Sequence, residues 1–334
     1  MVNPSGMHDH GIAVRLPVGT QSIGRPDPGH FVANQPGREN HERADSHHGM
    51  GRMTNDHTTT PLPTDLSIRM ARWRLVRTDE PPIRTATSIL LPVLHDGTPA
   101  MLKLSHDPDE RRGNDLMAWW QGAGAAPVLA HDREAILMER ARPGRSLADL
   151  VDAGDDIAAT RQICHVAARL HGHRASDRPR LRLLDDWFRD LSAVAPSRGD
   201  WLARCAASAR ALLADPRDPT PLHGDLHHGN VLDFGAKGWR AIDPKGLFGE
   251  RTFDFAALFL NPDLAGRSRR HADLPHILAQ RVDLVARTAS LDRLRLIRWI
   301  HAWCGLSALW FLEDKSEPVI QHRVALHAEY LLIN

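Results

Sequence analysis

Two oxygen-bearing side chains could bind a hard cation if residues 230–243 fold as a hairpin. Residues 231–234 and 239–242 are apolar runs, and the Gly-Ala-Lys-Gly stretch between them suits a turn. If residue 234 pairs with residue 239, Asn230 lies directly opposite Asp243. Directly opposed residues point to the same face of a sheet, with Cβ atoms about 5 Å apart. A carboxylate and an amide oxygen held so close predict a site for Mg²⁺.

A third such residue, Asp225, stands five residues before Asn230. This Asp-x-x-x-x-Asn spacing is typical of the kinase catalytic loop, where the Asp accepts a proton from the attacking hydroxyl and the Asn holds a metal ion. Phosphoryl transfer mostly requires positioning of the reactants and neutralisation of charge on the transferred group. We therefore predict Asp225 as the catalytic base, with Asn230 and Asp243 as magnesium ligands.

Asp233 begins an Asp-Phe-Gly triplet, which spells the metal-binding motif of protein kinases. In the predicted hairpin it has the opposite parity to Asn230, so it should face away and pair with Arg240. It also follows Asn230 by only three residues, which is too few for a separate returning strand. The metal-binding carboxylate is therefore expected to be Asp243.

Lys103 is one of only four lysines in the chain and lies in the apolar run 100–104. A lone lysine on such a strand is typical of the kinase lysine that contacts nucleotide phosphates and pairs with a carboxylate of the next helix. Asp109 and Glu110 are the candidate partners, and the longer side chain favours Glu110. A strand lysine that only extends its ammonium group into water is the alternative.

The stretch before Lys103 has no Gly-x-Gly-x-x-Gly loop. In its place stands Thr-Ala-Thr-Ser at residues 85–88. The hydroxyls of this stretch, Ser88 among them, and its backbone N–H groups are expected to meet phosphate oxygens.

The composition excludes several classes of function. The 334 residues carry 42 Lys and Arg against 41 Asp and Glu, so a nucleic-acid partner is not expected. No apolar stretch approaches the roughly 18 residues of a membrane span, and the N-terminus lacks an apolar signal core. The three cysteines are far apart, which favours reduced thiols in a cytoplasmic protein.

The chain divides into three parts by composition and periodicity. Residues 1–65 are rich in Gly, Pro, Asn, Thr and His without apolar periodicity, which predicts a disordered extension, with a His-rich metal-binding tail as the alternative. Residues 66–141 combine short apolar runs with one helical stretch at 108–120 and predict a β-rich nucleotide-binding lobe. Residues 142–334 are mainly helical and contain the catalytic loop and the substrate site.

These parts predict an α+β, protein-kinase-like two-lobe fold, with a small antiparallel-sheet N-lobe and a mainly helical C-lobe. Residues 138–144 would form the hinge, and the cleft between the lobes would bind the ligands. The expected strands and helices are residues 88–94, 100–104, 128–130 and 135–138, and residues 156–171, 201–213 and 291–312.

The block from His223 to Asn230 belongs to a longer pattern. It is followed by Ile-Asp-Pro at 242–244, Gly-Glu at 249–250 and Phe-Asp-Phe-Ala at 253–256, and the whole resembles the aminoglycoside O-phosphotransferases. The Gly-Leu-x-Gly-Glu stretch and the Trp-rich late helix most resemble the streptomycin 6-phosphotransferase branch. The similarity runs from about residue 73 to the C-terminus.

The resemblance implies ATP and Mg²⁺ as co-substrates and an antibiotic inactivated by phosphorylation of a streptidine-ring hydroxyl. It also implies a cytoplasmic enzyme that is a monomer or weak dimer. By position, it assigns the base to Asp225, the magnesium ligands to Asn230 and Asp243, and the nucleotide ion pair to Lys103 and Glu110. The backbone of residues 137–141, including Glu139 and Ala141, would hold adenine.

Streptomycin bears two guanidinium groups, which pair well with carboxylates. Glu250 and Asp254 follow Asp243 by seven and eleven residues and are expected to bind this substrate. The alternatives are ordinary surface acids and, for Asp254, a residue that braces the loop. Glu313 and Asp314 are interpreted as ordinary surface acids.

Other activities compete with this one. A sister kinase acting on hydroxyurea or another aminoglycoside is the main alternative. A catalytically inactive binding protein of the same fold would keep the site but not turn over. A binuclear metallophosphoesterase would need a His directly after Asn230, where the chain has Val231.

Overall fold

A computed structural model describes residues 64–265 and 271–334. Its first element is helix α1, Thr64–Arg72, whose Leu66 is fully buried against the strands that follow. The expected extension covered residues 1–65, and residues 1–63 lie outside the described part. The predicted boundary after residue 65 is two residues too late, because Thr64 and Asp65 already belong to the first turn of α1.

Six strands build one antiparallel sheet in the N-terminal lobe: β1 (Leu75–Arg77), β2 (Ile83–Arg84), β3 (Ser88–His95), β4 (Thr98–Ser105), β5 (Val128–His131) and β6 (Ala135–Glu139). Their order is β1-β3-β4-β6-β5, and β2 pairs with β3. Asp96 and Gly97 join β3 to β4 with φ of 49° and 75°. Asp and Gly tolerate these left-handed values, so this pair favours the tight hairpin.

Side chains of β4 alternate between two environments, as the pleat of a strand requires. Ala100, Leu102 and Leu104 are buried in an apolar cluster that includes Leu66 of α1. Met101 and Lys103 point the other way and line a cavity between the lobes. The parity of Lys103 therefore directs its ammonium group into the cleft.

Helix α2, Pro108–Trp120, packs against the cleft side of the sheet. Its first residue is a proline, and the carboxylate of Asp107 caps it by accepting from the N–H of Asp109 at 2.6 Å. Gly113 brings the helix against the C-terminal lobe, because a Cβ atom there would lie 2.0 Å from the carbonyl oxygen of Pro244. The helix thus presents its first turn, with Glu110, to the cleft.

The C-terminal lobe is mainly helical, as predicted. Helix α9 (Arg293–Glu313) runs through its core, where the rings of Trp299 and Trp303 lie 5.4 and 5.7 Å from the ring of Phe253, centroid to centroid. No helix of the described residues is long and apolar enough to cross a membrane. The helices are α3 (Leu147–Asp152), α4 (Asp156–Gly172), α5 (Leu184–Trp187), α6 (Arg189–Ser192), α7 (Trp201–Leu213), the 3-10 helix Arg251–Leu260, α8 (Pro275–Thr288), α9 (Arg293–Glu313) and α10 (Val319–Ile333).

Two small sheets support the catalytic segment. One contains β7 (Arg182–Leu183), β8 (Pro219–Leu222) and β11 (Leu247–Glu250), and the other pairs β9 (Val231–Asp233) with β10 (Trp239–Ala241). The antiparallel pairing of β9 with β10 is the hairpin that the apolar runs predicted.

The register of that hairpin differs by one residue from the prediction. Asp233 pairs with Trp239, so Asn230 lies opposite Ile242 rather than Asp243. The turn is longer than expected, because Phe234 leaves the ladder and donates its N–H to the carbonyl of Gly238 at 3.0 Å. The expected pairing of Asp233 with Arg240 is therefore wrong as well.

Candidate active site

A cavity of about 470 Å³ lies between the N-terminal sheet and the β9–β10 hairpin. It is large enough for a ligand of nucleotide size. Its apolar walls include Leu90, Met101, Met117, Met138 and Ile242. Its charged walls include Lys103, Glu110, Asp243 and Lys245.

Lys103 is 6% exposed and pairs with two carboxylates, those of Glu110 on α2 and Asp243. Burial by itself would lower the pKa of the Lys103 ammonium group, but the charges of Asp243 and Glu110 reverse this and raise it. The structure therefore gives Lys103 the carboxylate partner that the sequence favoured, Glu110, rather than a water-facing ammonium group.

Lys245 is a second buried lysine in the cleft, and sequence reasoning missed it. Its Nζ atom lies 2.9 Å from Oδ2 of Asp243 and 3.7 Å from Oε1 of Glu110. Burial opposes the charge of Lys245, and the carboxylates of Asp243 and Glu110 raise its pKa well above the ordinary value. The available signal was a lysine two residues after the predicted metal carboxylate in a chain with few lysines.

Asp243 reaches the cleft by its backbone conformation rather than by strand pairing. It lies beyond the end of β10 with φ of 59°, a left-handed value that costs most residues about 1–2 kcal/mol. This turn aims the carboxylate at Lys103 and Lys245. Burial would raise the pKa of the Asp243 carboxyl, but the two ammonium groups outweigh it and hold that pKa well below its usual range.

Asp225 and Asn230 meet in the loop between β8 and β9. The amide Nδ2 of Asn230 donates to the backbone oxygen of Asp225 at 2.9 Å and to its carboxylate Oδ2 at 3.2 Å. The loop folds tightly because the N–H of Asn230 donates to the carbonyl of His227 at 3.0 Å. The five-residue spacing thus becomes a direct contact between the predicted base and the predicted metal ligand.

His227 lies beside Asp225, with its Nε2 atom 3.6 Å from Oδ2. Its Nδ1 atom accepts from the N–H of Gly229 at 3.1 Å, so the ring proton belongs on Nε2 and faces the carboxylate. Burial would raise the pKa of Asp225, but His227 and Lys245 outweigh it and lower that pKa. Asp225 is therefore ionised at neutral pH and can accept a proton.

His223 holds the start of the catalytic loop in place. Its Nε2 atom donates to the carbonyl of Ile242 at 2.8 Å, and its Nδ1 atom accepts from the N–H of Asp225 at 3.3 Å. Burial lowers the pKa of His223, which matches a neutral ring with one donor and one acceptor.

Asp254 is predicted to bind substrate, but the structure places it beneath the catalytic loop, 1% exposed. Its carboxylate accepts from the backbone N–H groups of His223 at 3.1 Å and Gly224 at 2.6 Å, and it contacts Nε2 of His171 at 2.8 Å. Its lone pairs are committed to holding the loop, so it does not face a substrate.

Glu250 is also predicted to bind substrate and is also 1% exposed. Its two oxygens accept from Nε and Nη2 of Arg295 on α9 at 2.7 and 2.6 Å. This bidentate ion pair joins β11 to α9 inside the lobe. The expectation that Glu250 lies in the substrate cleft is therefore corrected.

The side chain of Asp233 does not lie with the cleft carboxylates. Its cross-strand partner is Trp239 rather than the predicted Arg240. Its side chain is bound by Arg145 at 3.0 Å, and it accepts from the N–H of Gly235 at 2.8 Å. These contacts stabilise the hairpin turn. Asn230 and Asp233 are three residues apart, so they point to opposite faces of the strand whatever its pairing register.

Three further predicted nucleotide contacts line the cavity. Ser88 is 3% exposed, and its hydroxyl is 3.3 Å from the hydroxyl of Ser105 and 3.4 Å from Oε2 of Glu110. Ser88 thus orients the carboxylate that pairs with Lys103. Glu139, which pairs with Lys237, and Ala141 lie along the wall where the connection between the lobes passes.

The residues around Asp243 fit a magnesium ion. The donors are hard oxygen atoms, which Mg²⁺ prefers. The Nδ2 atom of Asn230 is committed to Asp225, which leaves its Oδ1 atom as the metal-binding end of the amide. The carboxylate of Asp243 lies between the ammonium groups of Lys103 and Lys245, so a magnesium ion bound by it would take the place of an ammonium group beside it.

Comparison with known proteins agrees with this geometry. Residues 72–315 match the sequence profile of the aminoglycoside/hydroxyurea antibiotic resistance kinases. The streptomycin 3''-kinase of Klebsiella pneumoniae is 50% identical over 245 residues, which cover 73% of this chain and 91% of that protein. The streptomycin 6-kinase of Streptomyces glaucescens is 33% identical over 277 residues, which cover 79% of this chain and 88% of that protein.

The fold is shared with solved structures of low sequence identity. The amicoumacin kinase hAmiN, in complex with AMP-PNP and Ca²⁺, superposes with a TM-score of 0.57 at 14% identity, over 80% of this chain and 92% of that one. The predicted two-lobe kinase-like fold is confirmed. The predicted family is confirmed as well, but the 6-phosphotransferase branch is not, since the 3''-kinase is the more similar of the two streptomycin kinases. The chain belongs to the aminoglycoside/hydroxyurea antibiotic resistance kinase family.

Proposed function

We propose that this protein transfers the γ-phosphoryl group of ATP to a hydroxyl of streptomycin and thereby inactivates the antibiotic. One observation carries the proposal. Asp225 is bound by Asn230 and lies in the field of Lys245, whose ammonium group also binds Asp243 in the cavity. This supports a proton acceptor for an alcohol within the electrostatic influence of the charged groups that a triphosphate needs.

Each residue has a role that follows from its contacts. Asp225 orients the acceptor hydroxyl and takes its proton as the oxygen bonds to phosphorus, while the bond from phosphorus to the bridging oxygen breaks and its electron pair leaves with ADP. Lys103, held by Glu110, binds phosphate oxygens. Asn230 and Asp243 would hold Mg²⁺, which neutralises charge on the phosphates when bound.

The cavity supports ATP as the donor. Its apolar walls suit a flat adenine ring, and residues 138–141 run along it with backbone groups that could bind the ring edge. The phosphates would then extend toward Lys103 and Lys245, which lie at the charged part of the same cavity.

Two hydroxyls of streptomycin are candidates. The 6-hydroxyl of the streptidine ring follows from the sequence resemblance. The 3''-hydroxyl is favoured by the 50% identity to a streptomycin 3''-kinase, against 33% for a streptomycin 6-kinase. Mass spectrometry and phosphorus–proton NMR correlation of the phosphorylated product identify which hydroxyl carries the phosphate.

A nucleotide-consumption assay with streptomycin, kanamycin and hydroxyurea tests the activity. Streptomycin should be the best acceptor, and a higher rate with hydroxyurea would replace the proposed substrate. Asp225→Asn should lower kcat by about 10²–10⁴-fold while ADP still binds. Asp96→Asn is the matched control, because Asp96 lies in an exposed turn, and near-normal turnover by Asp225→Asn would refute the assigned base.

A further inference from the structure

We propose that Lys245 is a catalytic residue whose ammonium group binds the transferred γ-phosphoryl group, between the carboxylates of Asp225 and Asp243. This inference rests on the proposed phosphoryl transfer and extends it to a residue of this chain. Lys245 is 8% exposed and lines the cavity with Lys103. Two of the chain's four lysines thus converge on one carboxylate.

The four charged groups of the cleft form a closed ring. Lys103 pairs with Glu110 and Asp243, and Lys245 lies 2.9 Å from Asp243 and 3.7 Å from Glu110. The two ammonium groups and two carboxylates balance as the structure stands. An added metal ion on Asp243 would break this balance and release positive charge into the cleft.

The ring is asymmetric, and the asymmetry selects Lys245 as the group that is released. Lys103 keeps a direct contact with Glu110 if Asp243 turns to a metal ion. For Lys245 the other carboxylate of the ring, that of Glu110, is at 3.7 Å, beyond the usual range of a hydrogen bond. A buried ammonium group without a close anion is costly, so a phosphate oxygen becomes its natural partner.

The backbone of Lys245 keeps it close to the predicted base. Its N–H donates to the carbonyl of His223 at 2.7 Å, and its Cβ packs beside Gly224, the residue before Asp225. The positive charge of Lys245 already contributes to the lowered pKa of the Asp225 carboxyl. The backbone of Lys245 is therefore anchored beside the segment that begins the catalytic loop, while its ammonium group reaches Asp243 in the cleft.

The alternative role is purely structural, in which Lys245 only neutralises Asp243. The two roles differ in which nucleotide they affect. A lysine that binds the γ-phosphoryl group contributes to binding of AMP-PNP and not of ADP. If Lys245 only holds Asp243 in place, its loss displaces the Asp243 carboxylate and weakens binding of AMP-PNP and ADP equally.

Titration calorimetry with AMP-PNP and with ADP, both with Mg²⁺, separates these roles in Lys245→Met, Lys245→Arg and the exposed control Lys315→Met. We expect Lys245→Met to weaken AMP-PNP binding by about tenfold or more while ADP binding changes by less than about twofold. Lys245→Arg should recover part of the AMP-PNP affinity, and Lys315→Met should match the wild type. Equal losses for both nucleotides, or no loss, would overturn the proposal.

Thermal melting of the nucleotide-free variants checks that each one folds. If Lys245→Met does not fold, the same ratio is read from Lys245→Gln, which also removes the charge, and an unchanged preference for AMP-PNP over ADP in that variant overturns the proposal. Neither measurement uses an acceptor. A failure of streptomycin as substrate therefore leaves this test intact, and a failure of this test leaves the substrate open to its own assay.

Discussion

Gly113 of α2 lies directly against Pro244, so that a Cβ atom on Gly113 would be 2.0 Å from the Pro244 carbonyl oxygen. This contact joins the helix of the N-terminal lobe to the residue that follows Asp243. It sets the distance over which Lys103 and Lys245 can bridge Glu110 and Asp243. The ion pairs of the cleft therefore depend on the absence of a side chain at residue 113.

Gly113→Ala should displace α2 from Pro244 and separate Glu110 from the cleft lysines. We expect a loss of about 1–3 kcal/mol in the free energy of unfolding, the usual cost of overpacking, with weaker nucleotide binding. Chemical denaturation and calorimetry with ADP measure both effects. Gly172→Ala is the matched control, because nothing lies within 4 Å of the position of its added Cβ, and an equal loss in both variants would refute the contact argument.

Asp233→Asn and Asp243→Asn should differ sharply in activity. Asp243 binds both cleft lysines, whereas Asp233 is bound by Arg145 outside the cleft carboxylates. We expect Asp243→Asn to lose about 10²-fold or more in kcat, and Asp233→Asn to keep most activity with a small loss of stability. Steady-state kinetics at saturating ATP decide between them, and the reverse ranking would make Asp233 the metal ligand.

Asp254→Asn should destabilise the protein by about 3 kcal/mol at neutral pH, because it removes a buried carboxylate that holds two loop N–H groups and His171. Burial would raise the pKa of Asp254, but the hydrogen bond from His171 leads the contacts that lower it. A depressed pKa in the folded state stabilises the protein above the unfolded pKa, about 3.9, and this contribution disappears as pH falls through the lower folded value.

Denaturation of wild type and Asp254→Asn across pH measures that difference. It should be constant from about pH 5 to pH 7 and should shrink below about pH 4, where the wild-type carboxylate takes up a proton. A difference that grows on acidification would contradict the assigned sign.

Glu250→Gln should remove the bidentate charge partner of the buried Arg295 guanidinium and leave it only the carboxylate of Asp215 at 3.5 Å, at a cost of about 3 kcal/mol of stability. Because Glu250 is inside the lobe, the folded fraction should keep a KM for streptomycin within about twofold of the wild type. Kinetics corrected for the folded fraction test this. A KM that rises strongly in a well-folded variant would restore Glu250 to the substrate site.

The elements that the sequence pattern predicts correctly are those whose structure is determined by neighbouring residues. The sequence predicts helices at residues 108–120 and 201–213, and the structure has the same bounds. In the structure, Asp107 and Asp200 cap these helices. Asp96 and Gly97 favour a tight hairpin turn because both residues tolerate the left-handed φ values that it requires. Glu110 was preferred to Asp109 as the partner of Lys103 because its side chain is longer.

The predictions that were wrong depended on local turn geometry or on partners that lie far away in the chain. The hairpin register slipped because Phe234 joined the turn, which no alternation pattern reveals. Glu250 was assigned to the substrate because its partner, Arg295, lies 45 residues later and only packing of α9 against β11 joins them. Lys245 was overlooked because its role appears only when Asp243 turns back through a positive φ.

The sequence by itself determined which chemistry is possible here: the spacing of Asp225, Asn230 and Asp243 and the lone strand lysine already indicate phosphoryl transfer. Only the tertiary structure decided which charges share the cleft and which lie buried beneath it. The physical reason is that local patterns set the direction of a side chain within an element, whereas the partner of a buried charge is chosen by packing between elements distant in the chain.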